Sequence, residues 1–126
     1  MFLSTPGTFV SKTRLSEYFE TPVCFTGFQG AVREETVFTF REYLEQGGRR
    51  SPYLLVDLSG VSYLSSTGLG VLVDQARSQE RANGWLRVVD PSPSVQMILN
   101  VSGLAGAVSP VASVEAGVRD LAPRAA

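Results

Sequence analysis

The run Tyr53-Leu54-Leu55-Val56-Asp57-Leu58 constrains the fold of this chain more than any other segment. Nearly every position is apolar, so it has neither the alternation of a half-exposed strand nor the spacing of an amphipathic helix. Such a segment needs cover on both faces, which is the condition of a central strand in a parallel sheet. Two further strands flank it, 23–28, ending in a turn at Gly30, and Trp85-Leu86-Arg87-Val88-Val89.

Helical spacing fills the intervals. Val37, Phe40 and Leu44 form one stripe of a helix predicted over 34–45, with Gly47-Gly48 ending it. Leu69, Leu72, Val73 and Ala76 form another, beginning near Ser66 and stopping at Asn83-Gly84, where glycine suits a left-handed cap. Ser92-Pro93 supplies an N-cap and a proline at the first helical position, and the helix it opens turns Val95, Ile98 and Leu99 inward and stops at Gly103. A weak strand is expected over 107–111, and Ser113 caps a last helix carrying Val114, Val118 and Leu121. Residues 1–21 are otherwise irregular and offer only an edge strand or hairpin around Phe9-Val10, while 122–126 form a tail. Strands alternating with helices imply an α/β fold, a single-layer sheet of about four to five mostly parallel strands packed with about four helices. At 126 residues the chain is the size of one domain.

Charge and composition narrow the function. With 11 basic and 12 acidic side chains the chain carries no electrostatic footprint for nucleic acid or an anionic membrane. The aromatic residues Phe25, Phe28, Phe38, Phe40 and Trp85 are not interleaved with basic ones as a stacking platform requires, and are expected in the core. The chain has no histidine and one cysteine, Cys24, which lies in an apolar run and is expected to be a buried, inert thiol. No Ser-His pair and no zinc cluster can be built from that set, and Asp57, Asp74 and Asp90 have no paired spacing. Gly68 and Gly70 lack the third glycine of a dinucleotide loop, whose place is taken by Val73. The expectation is a protein that is not an enzyme, needs no cofactor or metal, lies in the cytoplasm and inserts no segment into a membrane.

The stretch Val56-Asp57-Leu58-Ser59-Gly60-Val61-Ser62-Tyr63-Leu64-Ser65-Ser66-Thr67-Gly68-Leu69-Gly70 carries the functional signal. It resembles the signature of the STAS family, an apolar strand ending in D-L-S, a short loop, then D-S-S-G-L-G at a helix start. Gly30-Ala31-Val32-Arg33-Glu34-Glu35-Thr36 is similar to that family's turn before the first helix, and Val101-Ser102-Gly103-Leu104 to the end of its third. The resemblance spans roughly residues 23–121 and is to the bacterial anti-sigma factor antagonists in particular. Two positions differ from the pattern: Ser65 stands for an acidic residue before the triplet and Arg33 for one in the early turn, where Glu34 or Glu35 is an alternative source of the charge.

Hydroxyls at a helix start cap its free amides, and a phosphate there meets the same amides and the positive end of the dipole. The resemblance implies more. Thr67, with Ser66 second, would be the phosphorylated residue, and Ser65, Ser66, Thr67, Gly68, Leu69 and Gly70 with Arg33 and Glu34 would form the surface that binds a protein partner. That partner would be a serine/threonine kinase anti-sigma factor. The alternatives within the family are an accessory subunit gripping the ATPase or permease of a lipid-transport ABC complex, and a scaffold subunit of a stress-signalling assembly.

Overall fold

In the computed structural model, which describes residues 9–123, the elements follow in the order β1 (Val10–Tyr18), β2 (Thr21–Val32), α1 (Val37–Arg50), β3 (Tyr53–Leu64), α2 (Ser66–Arg81), β4 (Trp85–Val89), α3 (Pro93–Ser102), α4 (Ala105–Val108) and α5 (Val114–Val118), closed by a 3-10 turn at Arg119–Leu121. Four strands form one sheet in the order β1-β2-β3-β4. The β2–β3 and β3–β4 pairs are parallel, and β1 adds to β2 antiparallel. This is the mostly parallel α/β layer expected from the alternation of apolar runs.

The sheet buries both faces. On one, Cys24, Phe28, Leu54, Val56, Leu58, Leu86 and Val88 meet Phe40 and Leu44 of α1, Leu72 and Ala76 of α2, and Val95 and Leu99 of α3. On the other, Val23, Leu55 and Val89 pack with Val118, Val114 and Leu121 of the C-terminal segment. Two-sided cover explains why β3 lacks alternation, since Leu54, Leu55 and Val56 are all fully buried. Arg87 ties the second face down: its guanidinium lies 4.0 Å over Trp85 and donates to both carboxylate oxygens of Asp120 at 2.7 and 2.8 Å. Those hydrogen bonds hold the Asp120 carboxyl below its ordinary pKa.

Several elements depart from their expected limits, each for a packing reason. The strand over 10–18 pairs in full with β2 through a turn whose Phe19 and Glu20 both have positive φ (53° and 65°), a hairpin geometry usually signalled by glycine or asparagine. β2 does not stop at Gly30 but passes through it at φ 111°, with bulges on either side. Helix α1 starts later than expected and runs through Gly47-Gly48. A Cβ on Gly47 would lie 2.9 Å from Leu54, and one on Gly48 would collide with Gln75 and Gln79, so these glycines serve close packing and not termination. At the end of α2 it is Asn83 that takes the left-handed conformation (φ 62°). Residues 105–108 are helical, and only Val111 bridges Val89 where a strand was expected. Phe38 is exposed, on the side of α1 away from Phe40 and Leu44, whereas Phe28 and Phe40 meet edge to face in the core at 4.8 Å. Cys24 is fully buried, and desolvation pushes its thiol above the ordinary pKa. Residues 1–8 and the end of the tail at 124–126 lie outside the described residues.

Gly84 meets the carbonyl of Pro52 so closely that no Cβ fits, whereas a Cβ on Gly106 meets nothing within 4 Å. Gly84→Ala is therefore expected to lower stability by about 2 kcal/mol or more and Gly106→Ala to leave it unchanged or slightly raised. Urea unfolding of the two variants beside wild type checks this.

Candidate functional site

The parallel register of β2 and β3 builds the site. Both strands are extended past the point where β4 ends, through the bulges around Gly30, and finish with Val32 opposite Leu64. The residues that follow, Arg33 and Ser65, thus emerge side by side at the carboxyl edge of the sheet, where open α/β sheets place their functional loops. The Ser65 amide then donates to the Val32 carbonyl at 2.9 Å, fastening the start of α2 to the end of β2.

Thr36 holds the turn between β2 and α1 from inside. Its hydroxyl accepts from the Arg33 amide at 2.9 Å and donates to the Ala31 carbonyl at 2.7 Å, while the Val37 amide reaches the Arg33 carbonyl at 2.8 Å. This fixes Arg33, Glu34 and Glu35 beside the start of α2. The arginine guanidinium lies 5.0 Å from the centroid of the Tyr63 ring.

Ser65 is the N-cap of α2. Its side chain accepts from the Gly68 amide at 3.0 Å, which leaves the amides of Ser66 and Thr67 as those in the first turn that the cap does not use. Among the described residues neither the Ser66 nor the Thr67 hydroxyl has a hydrogen-bond partner, and both residues are exposed. The three hydroxyls therefore divide: one is structural and two face outward at the positive end of a 16-residue helix.

The two glycines divide as well. Gly68 is buried, and a Cβ on it would stand 2.7 Å from Val32 and 2.9 Å from Leu64, so it is small because the helix start presses onto the strand ends. Gly70 is exposed and a Cβ on it would meet nothing within 4 Å. Nothing within the fold requires a glycine there. Leu69 between them is buried and anchors the turn.

Five of the residues expected from the sequence, Arg33, Glu34, Ser65, Ser66 and Thr67, come together in one pocket, whereas Leu69 lines a neighbouring groove and Gly68 and Gly70 line neither. Arg33, Glu34, Glu35, Tyr63, Ser65, Ser66 and Thr67 line one polar pocket of about 400 Å³. Tyr63 is also the border of a second, apolar groove of about 390 Å³ formed with Leu64, Ser66, Leu69, Met97, Ile98, Val101 and Ser102. Sequence reasoning missed Tyr63, Met97 and Val101. The signal available was that α3 is apolar on more than its inward stripe, since Met97 and Val101 lie four residues apart outside the buried pair Val95 and Leu99. Ser92 holds that helix in place, its hydroxyl donating to the Val61 carbonyl at 2.6 Å while accepting from the Val95 amide.

A STAS domain family model matches residues 18–117, most of the chain. The chain belongs to the STAS domain family. Among solved structures it is similar to an anti-sigma factor antagonist from Mycobacterium paratuberculosis, with 20% identity, a TM-score of 0.74 and coverage of 94% of this chain and 97% of that one. The anti-sigma factor antagonist SpoIIAA matches in its unphosphorylated form with 20% identity, TM-score 0.65 and coverage of 87% and 96%. Its phosphorylated form from Bacillus matches with 18% identity, TM-score 0.61 and coverage of 86% and 99%. The murine anion transporter Slc26a9 matches with 16% identity and TM-score 0.69, over 87% of this STAS chain but 22% of the transporter. At these identities the likeness is one of fold. Among the described residues no helix is long and apolar enough to cross a membrane, and no cluster of potential metal ligands occurs.

The division of the glycines has a measurable consequence. Gly68→Val is expected to lose about 2 kcal/mol, because Val32 and Leu64 cannot retreat from a branched side chain. Gly70→Ala is expected to gain about 0.5–1 kcal/mol by removing a glycine from an exposed helical position. Chemical denaturation of both variants, with helix content followed by circular dichroism, reads the two signs.

Proposed function

We propose that this chain, as one STAS domain, is a partner-switching protein of the anti-sigma factor antagonist kind. Its unphosphorylated α2 start docks onto a serine/threonine kinase anti-sigma factor, and phosphorylation of Thr67, with Ser66 second, releases it. The docking surface comprises Ser65, Ser66, Thr67, Gly68, Leu69 and Gly70 with Arg33 and Glu34. In this reading the chain works in the cytoplasm, catalyses nothing and holds no cofactor, so ATP and magnesium belong to the partner.

The observation that carries the reading is the contrast between Gly68 and Gly70. Gly68 is explained by packing within the fold, but Gly70 is exposed with open space above it, next to two unbonded hydroxyls. A glycine with no internal reason, on the exposed face of a helix start, suits the close approach of another protein's surface. A phosphate on Thr67 would add nearly two negative charges to that surface without melting the helix, since it would face the amides of the first turn. Burying that dianion under a partner is unfavourable, which is how a phosphate on a docking face acts as a release signal.

A second reading is a permanently bound subunit, either gripping the ATPase or permease of a lipid-transport ABC complex or serving as a scaffold in a stress-signalling assembly. It is favoured by Ser65 and Arg33, which stand where antagonists carry acidic residues beside the phosphoacceptor, and by the use of Ser65 as a cap.

Incubation with the kinase anti-sigma factor and ATP, followed by phosphopeptide mass spectrometry, separates the readings. Phosphate on Thr67 is expected, with Thr67→Ala keeping partner affinity, Thr67→Glu weakening it, and Gly70→Arg abolishing it in a chain at least as stable as wild type. Labelling confined to Ser11, Ser51 or another distant hydroxyl, or no labelling, contradicts the switch.

A further inference from the structure

We infer that the apolar groove between Tyr63 and α3 receives an amphipathic helix of a partner protein, bearing a carboxylate that pairs with Arg33. The inference names what is recognised at the face already proposed to dock a protein and rests on that reading for its location.

Residues 91–114 contain no charged side chain, in a chain whose charged residues are 18% of the total. This stretch includes all of α3 and α4, and part of it is well exposed: Val101 is 84% and Met97 66% accessible. Across the groove, Tyr63 is 43% accessible. These are three of the six large hydrophobic residues exposed among the described residues, gathered on one groove whose floor is Leu64, Leu69 and Ile98. A surface free of charge is cheap to desolvate and gathers apolar side chains, the condition of an interface core.

The shape selects a helix. Met97 and Val101 stand one helical turn apart on one wall, with the start of α2 and Tyr63 on the other, so the trough runs between a helix and a strand end. A partner helix presenting apolar residues at i, i+3 or i+4, and i+7 fills such a trough.

The charge selects one end of that helix. Tyr63 borders both the apolar groove and the polar pocket, and the Arg33 guanidinium stacks over its ring. Among the described residues Arg87–Asp120 is the only ion pair, so Arg33 stands at the groove border without a paired carboxylate, although Glu34 and Glu35 line the same polar pocket. Stacking on the ring holds the planar guanidinium in place while leaving its donors for a bidentate acceptor. A carboxylate on the partner helix, where it passes over Tyr63, completes that arrangement and sets which way round the helix lies.

The test needs no knowledge of the natural partner. A display library of 16-residue helical peptides with randomised faces is selected against the wild-type chain, with Met97→Asp, Val101→Asp and Arg33→Glu, each verified as folded by its unfolding midpoint, as comparisons. Peptides combining an apolar i, i+4, i+7 stripe with a terminal Asp or Glu should be enriched, and each Asp variant should weaken them about tenfold or more. Selection on Arg33→Glu should replace the acidic residue by Lys or Arg. Enrichment without an acidic preference, binding that the groove variants leave intact, or no enrichment overturns the inference. So does a stable dimer of the chain through α3, seen by sedimentation. The kinase reading fails separately, on absent phosphorylation of Thr67, while groove selection stands.

Discussion

The hydrogen bond from the Ser65 amide to the Val32 carbonyl joins the carboxyl ends of two parallel strands, and the rest of the site hangs on that junction. It exists because β2 and β3 stay paired as far as Val32 and Leu64, beyond the last residue of β4. A parallel pair sends both chains out at the same edge, so the turn carrying Arg33 and the helix start carrying Ser66 and Thr67 become neighbours without any direct side-chain bond between them. The register also explains why Gly68 must be small. A helix fastened that tightly to a strand end has no room for a Cβ between itself and Val32.

From this junction two surfaces follow with different chemistry. On one side of Tyr63 lie charged residues and the Thr67 hydroxyl, on the other lie Met97, Ile98 and Val101, and Ser66 lines both. Apolar contact supplies affinity without much selectivity, while charge at the border supplies orientation and a means of reversal. A hydroxyl placed beside the apolar groove and not inside it can receive a phosphate while free and change the surface a partner would meet.

Much of this was legible in the sequence where local rules and tertiary packing agree. The run Tyr53 to Leu58 declared a strand covered on both faces, Ser92-Pro93 declared a helix start, and Ser65 capped α2 as a hydroxyl at that position should. What stayed hidden had no local signal. The hairpin turn at Phe19-Glu20 uses neither glycine nor asparagine, so the edge strand expected around Phe9-Val10, made largely of Ser, Lys, Thr and Arg, gave no sign that it runs on to Tyr18. Gly47-Gly48 resembled a helix end because the contacts that require them, Leu54, Gln75 and Gln79, lie on other elements. The part played by Tyr63 was hidden for the same reason, since its importance comes from Arg33, 30 positions earlier, stacking on its ring.

The central claim, that the α2 start and the adjoining groove are where a partner sits, is tested most directly by amide hydrogen exchange of the chain free and saturated with its partner. Slowed exchange at 63–70 and 97–102, with the opposite sheet face around Phe25, Trp85 and α5 unchanged, is the predicted result. Protection confined to β1 or to the C-terminal segment, with the α2 start exchanging as in the free chain, would contradict it.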